Sequence, residues 1–326
     1  MRRFLIPGLL ALAGLLLGGV QAAPAPFIIE TRLMGKPLSA QQQATVREAA
    51  ARVSQIVASP FAPVTLNLPA NSCDDGLPRL KEKVQHFFVF VVVKPLGPDI
   101  YGNSAPCDLH DGSYLPIYGV IDLNSDGLDE LSHADLLDTM IHEMLHALGV
   151  GTLWEPDERV SLSGDSDEQR LARKVSGKWV YTGEHALAAY RALGGQGKAI
   201  PLDPDAGHWA GETVCSEILS GAAGDYTGRV NPVSRITLGA LEDLGYKVNA
   251  RAADRYALTP GRCPVQPDDA TSQPTPTKDS QVRSSDVYYA SCAAAKAAGV
   301  TPIRRGQPGY RAGLDGDGDG VACESY

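Results

Sequence analysis

Two histidines and a glutamate at fixed spacing are the residues of this chain best suited to chemistry. His142 and His146 lie four positions apart in segment 138–151, DTMIHEMLHALGVG. On a helix, both imidazoles project from one face a turn apart, so two nitrogen atoms can bind one tetrahedral Zn²⁺. Glu143 then lies beside the ion, where its carboxylate can take a proton from water. The spacing predicts a hydrolytic zinc site with Glu143 as catalytic base.

The residues around this motif predict a buried helix. Its apolar side is formed by Ile141, Met144, Leu145 and Leu148. Gly149, three residues past the second histidine, lets the chain turn away at the helix end. The alternative is an ordinary buried helix with two incidental histidines. The apolar pattern and the glycine together favour the zinc site.

A third ligand must come from further along the chain. A catalytic zinc needs three protein ligands and one open position. In the compact pattern HExxHxxGxxH the third histidine would be residue 152, which is Thr152. The downstream candidates are His185 and His208. We favour His208, because it lies in a loop that is free to approach the ion, whereas His185 is tied to the start of a predicted helix.

Regular elements are predicted on both sides of the motif. Strands are predicted at 27–33, 86–94 and 117–123, and helices at 40–57, 184–193 and 234–244, the first and last capped by Ser39 and Ser234. The apolar, β-branched run 86–94, HFFVFVVVK, is typical of a central strand. The stretch with Cys107 and His110 is predicted as a loop, and 151–180 as a polar segment without strong periodicity.

The N-terminus predicts export. Arg2 and Arg3, an apolar run at 4–20 and small residues before position 23 are typical of a secretory signal peptide, 1–22. The alternative is a membrane anchor, but the run is short and rich in glycine. The chain has 29 basic and 38 acidic residues, a formal net charge of −9, and signal removal makes it more negative. This charge disfavours nucleic acid and anionic lipid as partners.

All six cysteines follow the predicted signal peptide. An even number of cysteines in an exported chain predicts disulfides rather than free thiols. Proximity along the chain suggests the pairs Cys73–Cys107, Cys215–Cys263 and Cys292–Cys323.

Three motifs, in order, carry a resemblance to a known family. HEMLHALGVGTLW, GHWAGETVCSEILSG and NPVSRITLGALEDLGYKVN resemble the leishmanolysin-type zinc metalloproteases, in particular their secreted bacterial relatives. In that family an insertion displaces the third histidine, which is followed by tryptophan, as in His208-Trp209. The resemblance covers 27–250. It implies an α+β, metzincin-like protease domain, 23–263, with a mixed sheet and a cleft across the active-site helix.

One position departs from the family pattern. The family has a glutamate, an aliphatic residue and then a methionine in a turn beneath the zinc. Glu217 and Ile218 fit this pattern, but Leu219 stands at the methionine position. The methionine forms an apolar floor and does not bind the metal, and leucine has nearly the same volume. The resemblance therefore still implies a working site.

The C-terminal region predicts a separate calcium-binding module. Segment 264–286 is polar and rich in proline, as in an extended linker. In the module, 287–326, four acidic residues supply hard oxygen ligands that favour Ca²⁺: Asp315, Asp317, Asp319 and Glu324. With Gly309-Tyr310 upstream, the spacing resembles the Excalibur extracellular calcium-binding domain, whose two cysteines pair, which implies Cys292–Cys323. The alternative is a solvated acidic tail.

Together these patterns predict a secreted zinc-dependent metalloendopeptidase that acts on extracellular proteins or peptides. After signal removal we expect no membrane span, and the calcium module could attach the protein to a cell wall or surface. One alternative, favoured by Leu219, is a catalytically impaired calcium-dependent extracellular or wall-binding protein. Another is a zinc hydrolase that acts on a non-peptide bond, which the HExxH motif does not exclude.

Overall fold

The computed structural model describes residues 26–97, 100–154, 171–220 and 229–258, with 296, 300–304, 307 and 321–323. The predicted signal peptide, the linker, Cys263 and Cys292 lie outside these ranges, as do the predicted calcium ligands Asp315, Asp317, Asp319 and Glu324. Within the described ranges, every helix is too short or too polar to span a bilayer.

The described chain contains both strands and helices, with a run of consecutive strands after the first helix. The strands are β1 (Ile29–Gly35), β2 (Val64–Leu68), β3 (Leu80–Val84), β4 (Phe87–Lys94), β5 (Gly102–Leu109), β6 (Pro116–Asn124), β7 (Ala172–Val175), β8 (Lys178–Tyr181), β9 (Ile200–Pro201), β10 (Ile303–Arg304) and β11 (Val321–Ala322). The helices are α1 (Ala40–Ser54), α2 (His133–Ala147), α3 (Glu184–Ala192), α4 (Gly211–Val214) and α5 (Arg235–Asp243).

A mixed four-stranded sheet organises the fold. Its strand order is β1-β4-β6-β5, with β1, β4 and β6 parallel and β5 antiparallel to β6. Alternate residues of β4 face opposite sides: Phe87 and Val89 enter the core formed with α1 and α2, whereas Phe88 and Phe90 pack with the β2–β3 hairpin. Both faces are covered, which explains why β4 and β6 are nearly continuous apolar runs.

Local signals account for the helices that were predicted. Ser39 and Gln42 form a capping box at the start of α1, and the Ser234 hydroxyl accepts from the backbone at the start of α5. At the end of α2, Gly149 adopts a φ of 101°, a left-handed conformation that suits glycine. A Cβ on Gly119 of β6 would lie 2.9 Å from the Ala147 Cβ, so this glycine permits the close approach of α2 to the sheet.

One segment that the sequence pattern predicts as a loop is a strand, and this prediction is wrong. The stretch before β6, with Cys107, forms β5, although its glycine, asparagine, serine and proline are poor strand formers. Pairing with β6 compensates, and Pro106 is tolerated because β5 lies at a sheet edge. Segment 151–180, predicted as polar and without strong periodicity, contains β7 and part of β8, and β8 pairs with both β7 and β9 in a small antiparallel sheet.

A disulfide joins Cys73 to Cys107, the first of the pairs that proximity suggests. It ties the loop after β2 to the edge strand β5. Cys215 and Cys323 are also disulfide-bonded. Their predicted partners, Cys263 and Cys292, lie outside the described residues, so these two pairings remain predictions.

Candidate metal centre

Three histidine rings converge at one point beside α2. The Nε2 atoms of His142 and His146 are 2.9 Å apart, and the His208 Nε2 lies 3.2 Å and 3.1 Å from them. Three nitrogens bound at about 2.1 Å to a tetrahedral ion lie about 3.4 Å apart, close to this triangle. These three residues are one of the groups in the described chain able to hold a metal ion.

The other ring nitrogen of each histidine is held by an acceptor. The Nδ1 atoms of His142 and His146 lie 2.7 Å from the carbonyl oxygens of Ile218 and Val150. The His208 Nδ1 is 2.9 Å from Oδ2 of Asp203. Carbonyls and carboxylates only accept, so each Nδ1 carries the hydrogen and each Nε2 presents a lone pair to the centre. The tautomers are therefore those that metal binding requires.

Electrostatics also favour neutral rings on α2. Burial lowers the pKa of His142 to about 4, with the neighbouring His208 adding to the effect. Burial and the other two histidines hold the pKa of His146 well below its ordinary value. Burial also lowers the pKa of His208, but the hydrogen bond and charge of Asp203, together with the charges of Asp205 and Glu143, outweigh burial and the net shift is upward. The two helix histidines are thus available as metal ligands near neutral pH.

The structure separates the two downstream candidates for the third ligand. His208 reaches the triangle from a tight loop in which its backbone carbonyl accepts from Asp203 N and its N–H donates to Asp203 Oδ1. His185 lies at the start of α3, exposed, with its Nδ1 2.9 Å from Oδ1 of Asp243. Thr152, at the compact-motif position, donates its hydroxyl to the His146 carbonyl.

Asp203 should strengthen metal binding through His208. In Asp203→Asn the side chain can still accept from Nδ1 but carries no charge, so the imidazole becomes a weaker donor. We expect about a 10-fold loss of Zn²⁺ affinity, at the low end for such partners. Competition against a chromophoric chelator measures it.

Asp205→Asn is the matched control, because Asp205 is mostly exposed and lies 3.6 Å from the His208 Nδ1. Its affinity should stay close to wild type. Equal affinities of Asp203→Asn and wild type would contradict the role given to Asp203.

Glu143 is buried next to the histidine triangle. Burial raises the pKa of its carboxyl to about 7, against the opposing effects of the Ser104 hydrogen bond and the charge of His208. The Ser104 hydroxyl lies 2.8 Å from Oε2. A group with a pKa near neutrality can both accept and release a proton at physiological pH. The sequence pattern identified Glu143 but missed Ser104, because β5 was not predicted.

A buried carboxylate organises the turn opposite α2. Glu217 is fully buried and accepts from the backbone N–H groups of Leu219 (2.7 Å) and Ser234 (2.9 Å) and from the Thr237 hydroxyl (2.7 Å). These bonds fix the turn that carries the Ile218 carbonyl to His142. Leu219, at the departing position of the motif, is fully buried and apolar.

The residue after His208 is anchored to the same network. Trp209 donates its indole N–H to the Thr237 hydroxyl at 3.0 Å, and Thr237 donates on to Glu217. Its ring packs against Trp154 and Tyr181 with centroid distances of 4.6 and 5.1 Å. This packing holds the loop that presents His208. Of the two acidic residues that support the site, the sequence motif included Glu217 but gave it no role, and Asp203 had only its position shortly before His208 as a signal.

Comparison with known proteins gives a family match and similar metallopeptidases. Residues 289–324 match the Excalibur calcium-binding domain. The ciliated left-right organizer metallopeptidase of Homo sapiens is 28% identical over 190 residues, which is 53% of this chain and 24% of that protein. The Mus musculus protein of the same name is 29% identical over 185 residues, 51% of this chain and 26% of that protein. The chain thus matches about a quarter of the length of these metallopeptidases.

Proposed function

We propose that this protein is a secreted zinc-dependent metalloendopeptidase that hydrolyses peptide bonds in extracellular proteins. The observation that carries the proposal is the triangle of three Nε2 atoms with the Glu143 carboxyl beside it. The similarity to metallopeptidases over about half the chain supports it. The mixed sheet, with α2 behind it, is compatible with a metzincin-like domain.

His142, His146 and His208 would hold the Zn²⁺. When bound, the ion would polarise the scissile carbonyl and lower the pKa of a water molecule. Glu143 takes the proton of the attacking water and then delivers it to the nitrogen of the leaving amine. The carbonyls of Ile218 and Val150 and the carboxylate of Asp203 keep the rings in place throughout.

The proposed domain plan places a signal peptide at 1–22, the protease domain at 23–263, a linker at 264–286 and the calcium module at 287–326. In the module, Asp315, Asp317, Asp319 and Glu324 would hold the Ca²⁺. The Excalibur match over 289–324 supports calcium binding and an extracellular or surface location.

Metal removal tests the proposal directly. The purified protein should contain about one zinc per chain and cleave casein. A zinc chelator should abolish cleavage because the ion is the Lewis acid that polarises the scissile carbonyl. Zn²⁺, but not Ca²⁺, should restore cleavage. Zinc content by mass spectrometry and peptide release measure both. Cleavage that persists in the fully zinc-free protein would refute the proposal.

The second candidate is a calcium-dependent extracellular or wall-binding protein whose protease domain has lost activity. Leu219 at the methionine position and the Excalibur match favour it. Zinc bound at full occupancy without cleavage of any protein substrate, together with calcium-dependent retention on cell-wall material, would select this candidate.

A further inference from the structure

The inner face of β5 contacts the Glu143 carboxyl. Gly102 and Ser104 are two residues apart on the strand, so both face the same side, toward α2. The Ser104 Oγ lies 2.8 Å from Oε2 of Glu143. A Cβ on Gly102 would lie 3.0 Å from Oε1 and 3.1 Å from Cγ. One carboxyl oxygen is therefore hydrogen-bonded by β5, and the other lies in the space that the absence of a side chain at Gly102 leaves open.

Ser104 also contacts the backbone of the same glutamate. Its Oγ lies 2.7 Å from the Glu143 carbonyl oxygen. A hydroxyl has one hydrogen and two lone pairs, so it can donate to one oxygen while accepting from a protonated carboxyl, or donate to the carboxylate. With a protonated carboxyl the hydroxyl bridges the two ends of one residue, and with an ionised carboxylate it donates to Oε2. In both states the contact with Oε2 restricts the side-chain rotamers that Glu143 can adopt on α2.

Rotamer restriction matters for a base in this position. A free glutamate side chain has several rotamers, and ordering it on binding opposes the reaction. A catalytic base must also lie within hydrogen-bond reach of the proton that it takes. An edge strand that orders the carboxyl before substrate binds avoids the ordering cost during the reaction and keeps the base within reach of the proton.

We propose that Ser104 and Gly102 are positioning residues that hold the Glu143 carboxyl in its working orientation beside the histidine triangle. The inference rests on the proposed function for its catalytic consequence. The orientation itself is a structural property of the chain and can be measured without activity.

The kinetic test is Ser104→Ala. Loss of the bridge should lower kcat by about 10- to 100-fold, because small misplacements of a reacting group have effects of this size. KM and zinc content should remain within about 2-fold, since Ser104 contacts neither substrate nor histidine in the proposed mechanism. Ser104→Thr keeps the hydroxyl on a residue that suits a strand and should restore most of kcat.

The neighbouring Asn103 provides a matched control. Asn103 is exposed and faces away from α2, so Asn103→Ala should leave kcat unchanged. A Ser104→Ala enzyme with wild-type kcat, or one that Ser104→Thr fails to improve, would overturn the inference.

Crystal structures of the zinc-loaded wild type and Ser104→Ala give a readout besides activity. In the variant we expect the Glu143 carboxyl to leave the position seen with Ser104. Gly102→Ala should displace it by contact while Ser104 is intact. An unchanged rotamer in both variants would overturn the inference. Absence of cleavage by the zinc-loaded wild type would overturn the proposed function alone, and the structures would still decide the positioning role.

Discussion

Glu143→Gln should lower cleavage of a protein substrate by about 10²- to 10⁴-fold, the range typical of a lost catalytic base. Glutamine has almost the same shape and can still accept a hydrogen bond from Ser104, but it cannot take a proton from water. Glu143 is not one of the three histidines that would bind the ion, so the zinc content should stay at the wild-type level. Initial rates and metal analysis on the same preparation measure the two quantities.

Glu130→Gln is the control for this change. Glu130 is exposed in a short 3₁₀ helix before α2, so its replacement should leave both rate and zinc content unchanged. Retention of more than a tenth of the wild-type rate by Glu143→Gln would contradict the assignment of Glu143 as base. Loss of zinc in Glu143→Gln would instead show that the carboxylate takes part in holding the metal.

His208→Ala should lose the metal. Two histidines would remain where a catalytic zinc needs three protein ligands, so we expect Zn²⁺ affinity to fall by more than 100-fold and activity to disappear. The loss should exceed the range of about 10- to 100-fold that is typical of residues that only support a ligand. Chelator competition and zinc content after dialysis measure the effect.

His185, the other candidate for the third ligand, provides the matched control. His185 is bound to Asp243 at the start of α3 and is more than half exposed, so His185→Ala should keep its zinc and its activity. The buried Asp243 carboxylate keeps the Tyr181 hydroxyl and the backbone N–H groups of residues 185 and 186 as donors, so the fold should survive the loss of the imidazole. Zinc loss in His185→Ala together with retention in His208→Ala would reverse the assignment.

The helical part of the site could be predicted because its geometry is local. Helix geometry alone relates His142 and His146, and the apolar residues around them indicate the buried face. His208 lies 62 residues beyond His146. Sequence reasoning reduced the third ligand to two candidates. The distance between His208 and α2 depends on the 203–208 loop and the Trp209 packing, which only the folded chain defines.

The parts of the fold and site that the sequence did not predict also have physical explanations. The sequence of β5 consists mainly of turn-favouring residues, and the strand exists because β6 offers a paired edge, a long-range interaction without a local signal. Gly102 and Ser104 were therefore invisible as neighbours of Glu143. Glu217 was recognised only as part of a motif. Its fully buried carboxylate is stabilised by donors from Ser234 and Thr237, far along the chain.

The bond between Cys73 and Cys107 has a consequence for how the protein is handled. It joins β5 to the loop between β2 and β3, which pack on the face of the sheet opposite α2. On β5, Ser104 lies three residues before Cys107. In the described part of the chain, β5 pairs as a strand with β6 alone, so this covalent link adds to that pairing and to the contact of Ser104 with α2. Preparations made in a reducing cytoplasm lack this attachment. Material folded in an oxidising compartment is therefore the proper starting point for measuring turnover.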